Sequence, residues 1–164
     1  MKIITTPEFF QTLKGSFILL DTNIFIDAFH NPSEFGQFFK QLKENQINIV
    51  TIDAVQIEFT KGSSDITKLE EKNKLISQIA DAILPVDKAV TDNVTKLLKL
   101  YKIEAKDISI VDLFLGGMLV KYAGKMFLMT KDIKDFPTNI FDLKTHLSVV
   151  KRRSIQNYGI YFYK

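Results

Sequence analysis

Hydrophobic positions along this chain come in short blocks separated by longer periodic stretches. Phe17-Ile18-Leu19-Leu20 is apolar at every position, the pattern of a central strand covered on both faces. Ile47-Asn48-Ile49-Val50 reads as a second strand, Met126–Thr130 as a third, Ile140–Leu143 as a fourth and Tyr158–Tyr163 as a fifth. The stretches between them carry apolar residues at helical spacing. Ser33, just after Asn31-Pro32, is placed to cap a helix whose inner face is Phe35, Phe38, Phe39 and Leu42. A helix from about Asp53 to Lys61 stops at Gly62. Asp65 opens a long helix with Ile66, Leu69, Leu75, Ile76 and Ile79 on one side, ending before Pro85. Asp87 to Tyr101 repeats the pattern with Val90, Val94, Leu97, Leu98 and Tyr101. Asp107 then caps an apolar helix that runs to Ala123 and ends at Gly124.

Short apolar strands alternating with helices predict an α/β fold, three-layered α/β/α, with a central, mostly parallel sheet. No internal repeat or low-complexity linker interrupts the 164 residues, a length that fits one domain. The expectation is a single domain over 1–164.

In such sheets, ligands bind at the carboxyl ends of parallel strands. Asp21 follows the first strand directly; Asp132 lies two residues past Met126–Thr130, with Asp135 three further on. An aspartate after a strand commonly caps a helix or makes a turn, so one such position alone is ambiguous. The helices add weight. Asp112 shares a stripe with Ile108, Leu115 and Leu119, and Glu58 shares a face with Ala54 and Ile57 while Gln56 lies elsewhere. Both carboxylates therefore aim inward, with no lysine or arginine on their stripes. The plain alternative is a pair of interior acids neutralised by distant basic residues. If four acids converge, each pair ~4 Å apart repels by roughly 4 kcal/mol at an effective dielectric near 20. Protonation, basic neighbours or a bound cation must relieve that repulsion.

Composition narrows which cation. The chain has no cysteine and two histidines, His30 and His146, so thiolate and imidazole-rich metal centres are excluded. Oxygen ligands suit magnesium or manganese. The net charge of +3 permits a polyanionic partner without requiring one. The first residues lack the basic-then-apolar run of a secretory signal, and no apolar stretch reaches the ~18 residues of a membrane span. A cytoplasmic domain with no membrane partner is expected.

Four segments together resemble the PIN domain family. They are LLDTNIFID (19–27), AVQIEF (54–59), DISIVDLFLGGML (107–119) and FLMTKDIKDF (127–136). The similarity covers a core of about 17–143, leaves 144–164 as an unmatched extension, and looks closest to single-domain VapC-type toxins. By this resemblance Asp21, Glu58, Asp112 and Asp132 are the catalytic, metal-binding acids, with Asp135 as an additional metal-binding acid. Asn23 and Thr130 would brace the site. Gly116-Gly117 stands where relatives carry alanines, at ~1 kcal/mol per glycine. The resemblance implies a Mg2+- or Mn2+-dependent endoribonuclease with an RNA substrate and, for a toxin, an antitoxin partner protein. The rival reading is a catalytically silent PIN-like module that binds RNA or protein. A phosphatase with an aspartyl nucleophile is disfavoured, because the segment reads Asp21-Thr22-Asn23 rather than Asp-x-Asp.

Basic residues near the last motif, Lys131 and Lys134, and the run Lys151-Arg152-Arg153 are candidate phosphate contacts or ordinary solvated surface. Tyr158, Tyr161 and Tyr163 could stack bases. The preferred reading is an edge strand or a contact with a second copy in a homodimer.

Overall fold

The computed structural model describes residues 1–101, 107–152 and 154–164. Its strands are β1 (Lys2–Thr5), β2 (Phe17–Leu20), β3 (Asn48–Ile52), β4 (Ala82–Leu84), β5 (Met126–Thr130), β6 (Phe141–Lys151) and β7 (Ser154–Tyr163). Its helices are α1 (Phe9–Leu13), α2 (Thr22–His30), α3 (Pro32–Glu44), α4 (Asp53–Lys61), α5 (Ile66–Ile79), α6 (Lys88–Tyr101) and α7 (Ile110–Lys121). All seven strands join one sheet in the order β1-β6-β7-β5-β2-β3-β4. β5, β2, β3 and β4 are mutually parallel. β7 runs antiparallel to β5, and β6 antiparallel to β7, so β6 points the same way as the parallel four.

Successive side chains of a strand point to opposite faces. All five residues of β5 and the last three of β2 are buried, so the sheet centre is covered on both faces, as an α/β architecture requires. α3 packs on β1 and β3, α4 on β3, and α7 on β5 and β7.

Several boundaries differ from the sequence reading. The N-terminal residues, read only for a targeting signal, form β1 on the sheet edge and the short α1. α2 was not foreseen: in its run Thr22–Ala28 the polar Thr22, Asn23 and Asp27 are buried and Ile26 is exposed. α3 begins at Pro32 rather than after a Ser33 cap, because proline needs no N–H partner at a first helical position. α5 ends at Ile79, and Ala82–Leu84 leaves it to pair with β3 as β4. Ser109, not Asp107, caps α7. β6 runs on from the expected fourth strand through Lys151, and β7 starts at Ser154.

The glycine pair in α7 has a packing reason. A Cβ on Gly117 would stand 2.9 Å from the Val90 carbonyl oxygen, and one on Gly116 would stand 3.1 Å from Leu97 Cδ1. Glycine here lets α6 and α7 touch along their backbones. Gly117→Ala should therefore lower the midpoint of urea unfolding by an equivalent of about 1–3 kcal/mol, although alanine favours helix by ~1 kcal/mol. Unchanged or increased stability would show that the two helices are free to separate.

Candidate functional site

The carboxyl end of β2 delivers Asp21, which also serves as the N-cap of α2 by accepting from the Thr22 N–H at 2.5 Å. Burial is nearly complete at 3% exposed. Its second oxygen accepts from Thr130 Oγ1 at 2.6 Å and from Asn23 Nδ2. The end of the adjacent strand β5 delivers Thr130, whose hydroxyl oxygen in turn accepts from the Asp132 N–H at 3.0 Å. Asn23 Nδ2 also donates to Thr130 Oγ1 and to Asp132 Oδ2, each at 3.0 Å. One asparagine and one threonine thus tie the two strand-end aspartates together. Among the described residues, the buried Asn23 Oδ1 has no hydrogen-bond partner.

The other two acids come from helices. Asp112 sits in the first turn of α7, where Ser109 Oγ donates to its Oδ2 at 2.5 Å. It is buried together with Leu115 and Leu119, as its stripe predicts, although Ile108 lies ahead of the helix. Glu58 on α4 is half-buried and accepts from Thr22 Oγ1. Its expected face needs correction. Ile57 is 65% exposed, and α4 buries Val55 and Phe59 instead. Asp21, Glu58, Asp112 and Asp132 line one open cavity of about 340 Å³, with Thr22, Asn23, Ile26 and Ser109. Asp135 lines a different cavity with Tyr101, Asp107 and Lys134.

The electrostatics follow from this placement. Burial pushes the Asp21 carboxyl up to about 7; Thr130 and Thr22 oppose the rise, while the charges of Asp112 and Asp132 add to it. Burial also raises Asp112 to about 6, opposed by Ser109 and reinforced by Asp135, Asp132 and Glu58. Asp135 is raised by burial and by Asp132, with Lys134 opposing. No basic side chain pairs with these five acids among the described residues. Nor, among the described residues, are three acids or histidines already drawn close enough to enclose a cation. The all-oxygen donor set, the two raised aspartates and the unpartnered Asn23 Oδ1 fit a hard divalent cation entering this cavity.

The basic candidates divide. Lys131 and Lys151 pair with the buried Asp27 of α2, at 3.0 and 3.7 Å, and Tyr158 donates to the same carboxylate at 2.6 Å. Burial would raise Asp27, but those partners outweigh it and hold its pKa below the usual carboxylate value. These two lysines thus serve an internal ion-pair network that the sequence did not reveal. Lys134 and Arg152 are exposed, and Arg153 lies outside the described residues. The tyrosines do not lie on a sheet edge. β7 lies between β5 and β6, Tyr158 and Tyr161 are buried, and only Tyr163 is partly exposed.

A larger apolar groove of about 400 Å³ lies between α3 and α5, but among the described residues Glu44 is the only acid lining it. Size and chemistry point to different places, and the chemistry lies with the acids.

A sequence model of the PIN domain matches residues 18–136, and this chain belongs to the PIN domain family. The solved structure of VapBC2 from Rickettsia felis bound to a DNA fragment from their promoter contains a chain of similar fold. The two share 19% identity with a TM-score of 0.53, over 62% of this chain and 78% of that one. No curated protein matches the sequence. No helix among the described residues is long and apolar enough to cross a membrane.

Proposed function

We propose that this PIN-domain chain is a divalent-metal-dependent endoribonuclease. The observation that carries the reading is the convergence of Asp21, Glu58, Asp112 and Asp132, two of them buried, on one solvent-open cavity at the strand ends. Those four residues would hold magnesium or manganese, and Asp135, facing the neighbouring cavity, would sit at the rim. The chemistry such a cation supplies when bound is a water nucleophile at neutral pH and stabilisation of charge on the phosphate. The chain's own contribution is orientation. Asn23 and Thr130 hold Asp21 and Asp132, Ser109 holds Asp112, and Thr22 holds Glu58. Of the basic candidates, Lys134 and Arg152 are the exposed ones and would meet substrate phosphates. The resemblance to VapC-type toxins, and the VapBC2 assembly that supplied the similar fold, support an antitoxin as protein partner.

Purified protein should cut single-stranded or structured RNA with manganese present and stop when EDTA is in excess. Asp132→Asn should raise the half-activating manganese concentration more than Asp135→Asn does; the reverse order would move the ligand role to Asp135. RNA binding without cleavage under any divalent ion would replace the enzyme reading with the silent binding module.

A further inference from the structure

A second groove, of about 270 Å³, adjoins the acid cavity, and Ile26 lines both. Its floor is Phe59, the residue after Glu58, and its walls carry Phe29, His30, Lys68 and Lys72. Lys72 Nζ lies 4.9 Å from the Phe59 ring centroid and Lys68 Nζ 5.4 Å from that of Phe29. The Phe29 and His30 rings meet edge to face at 5.9 Å, and His30 is exposed. Two cations over aromatic faces thus stand beside a cavity lined by four carboxylates. Besides Phe29, Lys68 meets Glu71 in an ion pair that is about half exposed on both sides, and such pairs exchange readily for a phosphate.

We infer that this groove is the subsite for the unpaired nucleotide flanking the scissile phosphate, its base against Phe29 and His30 and its phosphate on Lys68 and Lys72. The inference rests on the ribonuclease reading for what occupies the acid cavity. It follows from charge and shape. A polyanion crossing from a cation-loaded acid site to the next groove needs positive charge there, and bases stack on aromatic faces whatever their identity. Duplex RNA keeps its bases paired and cannot offer one, so the site selects single-stranded segments.

The test is anisotropy of a labelled single-stranded RNA of about 12 nucleotides, in EDTA so that nothing is cut, across a salt series. Lys68→Gln with Lys72→Gln should weaken binding about tenfold and reduce the salt slope by about 0.7, the contribution of the one phosphate the two lysines share on a single strand. Lys72 also donates to the Phe59 carbonyl at 2.7 Å, so Lys68→Gln alone must shift both readouts in the same direction. His30→Ala should weaken binding with the salt slope kept. If wild type cuts RNA with manganese but the lysine variants bind as it does, the subsite falls and the ribonuclease reading stands. If the variants lose binding and wild type cuts no RNA, the groove stands as a site for an unpaired nucleotide and the ribonuclease reading falls. Wild type that fails to bind the strand, or that binds an acidic peptide equally well, overturns the subsite.

Discussion

Asp112→Asn should slow manganese-dependent RNA cleavage by about three orders of magnitude. The substitution keeps the side chain's size and its place in the first turn of α7, and removes one charge from the cavity. Charge stabilisation by a bound cation is worth several kcal/mol, and each factor of ten in rate is about 1.4 kcal/mol. Asp112 is joined to the chain's framework through Ser109, while Asp21 and Asp132 share Asn23, so its loss leaves the other acids in place. Single-turnover rates at saturating manganese, with the melting temperature checked on the same preparation, measure the effect. A folded Asp112→Asn protein that cuts within tenfold of wild type would remove this residue from the chemistry.

The second large effect is on stability without metal. Asp21 has a folded pKa of about 7 against an ordinary value of 3.8. The folded state therefore holds that proton more tightly than the unfolded chain. Its stabilising contribution is complete below about pH 4 and is lost as pH rises through about 7. Asp112, raised to about 6, acts in the same direction. Asp27 acts oppositely, since its pKa is lowered, but its contribution is already complete above its ordinary carboxylate range. In EDTA, the protein should lose on the order of 3 kcal/mol between about pH 5 and about pH 8. Asp21→Asn should flatten that decline and be the more stable protein at the alkaline end. The unpartnered Asn23 Oδ1 gives the new amide an acceptor if Asn23 turns over. Urea midpoints across the pH series decide it; a wild-type profile flat from pH 5 to 8 would mean Asp21 is not buried among like charges.

Much of the candidate site was legible because its residues break local patterns. Asp21 and Asp132 interrupt apolar strands at their ends, and Asp112 interrupts an apolar stripe, each a local departure that one sequence displays. Glu58 was found for a reason that does not hold, since Ile57 beside it faces solvent and the glutamate is placed by Thr22 from another helix. The Asp27 network was hidden because its partners, Lys131, Lys151 and Tyr158, are brought together by the sheet rather than by spacing. The same physics explains the fold. β2 and β5, apolar through Leu20 and Met129, announce themselves by unbroken runs, and β3 by a short run rich in isoleucine and valine. β6 alternates irregularly through Lys144, Thr145 and His146 and bulges between Leu143 and Thr145; it is a strand because β1 and β7 pair with it. α2 escaped notice because its polarity runs against its burial: Thr22, Asn23 and Asp27 are buried while Ile26 faces solvent.

The central claim is that four acids from two strand ends and two helices share a divalent cation. Titrating manganese into the protein and following free ion by electron paramagnetic resonance tests it most directly. Wild type should bind manganese saturably at or below millimolar concentration, with magnesium competing. Asp21→Asn combined with Asp112→Asn should bind at least about tenfold more weakly. Equal binding by the two proteins, or none by wild type at millimolar manganese, would contradict the account.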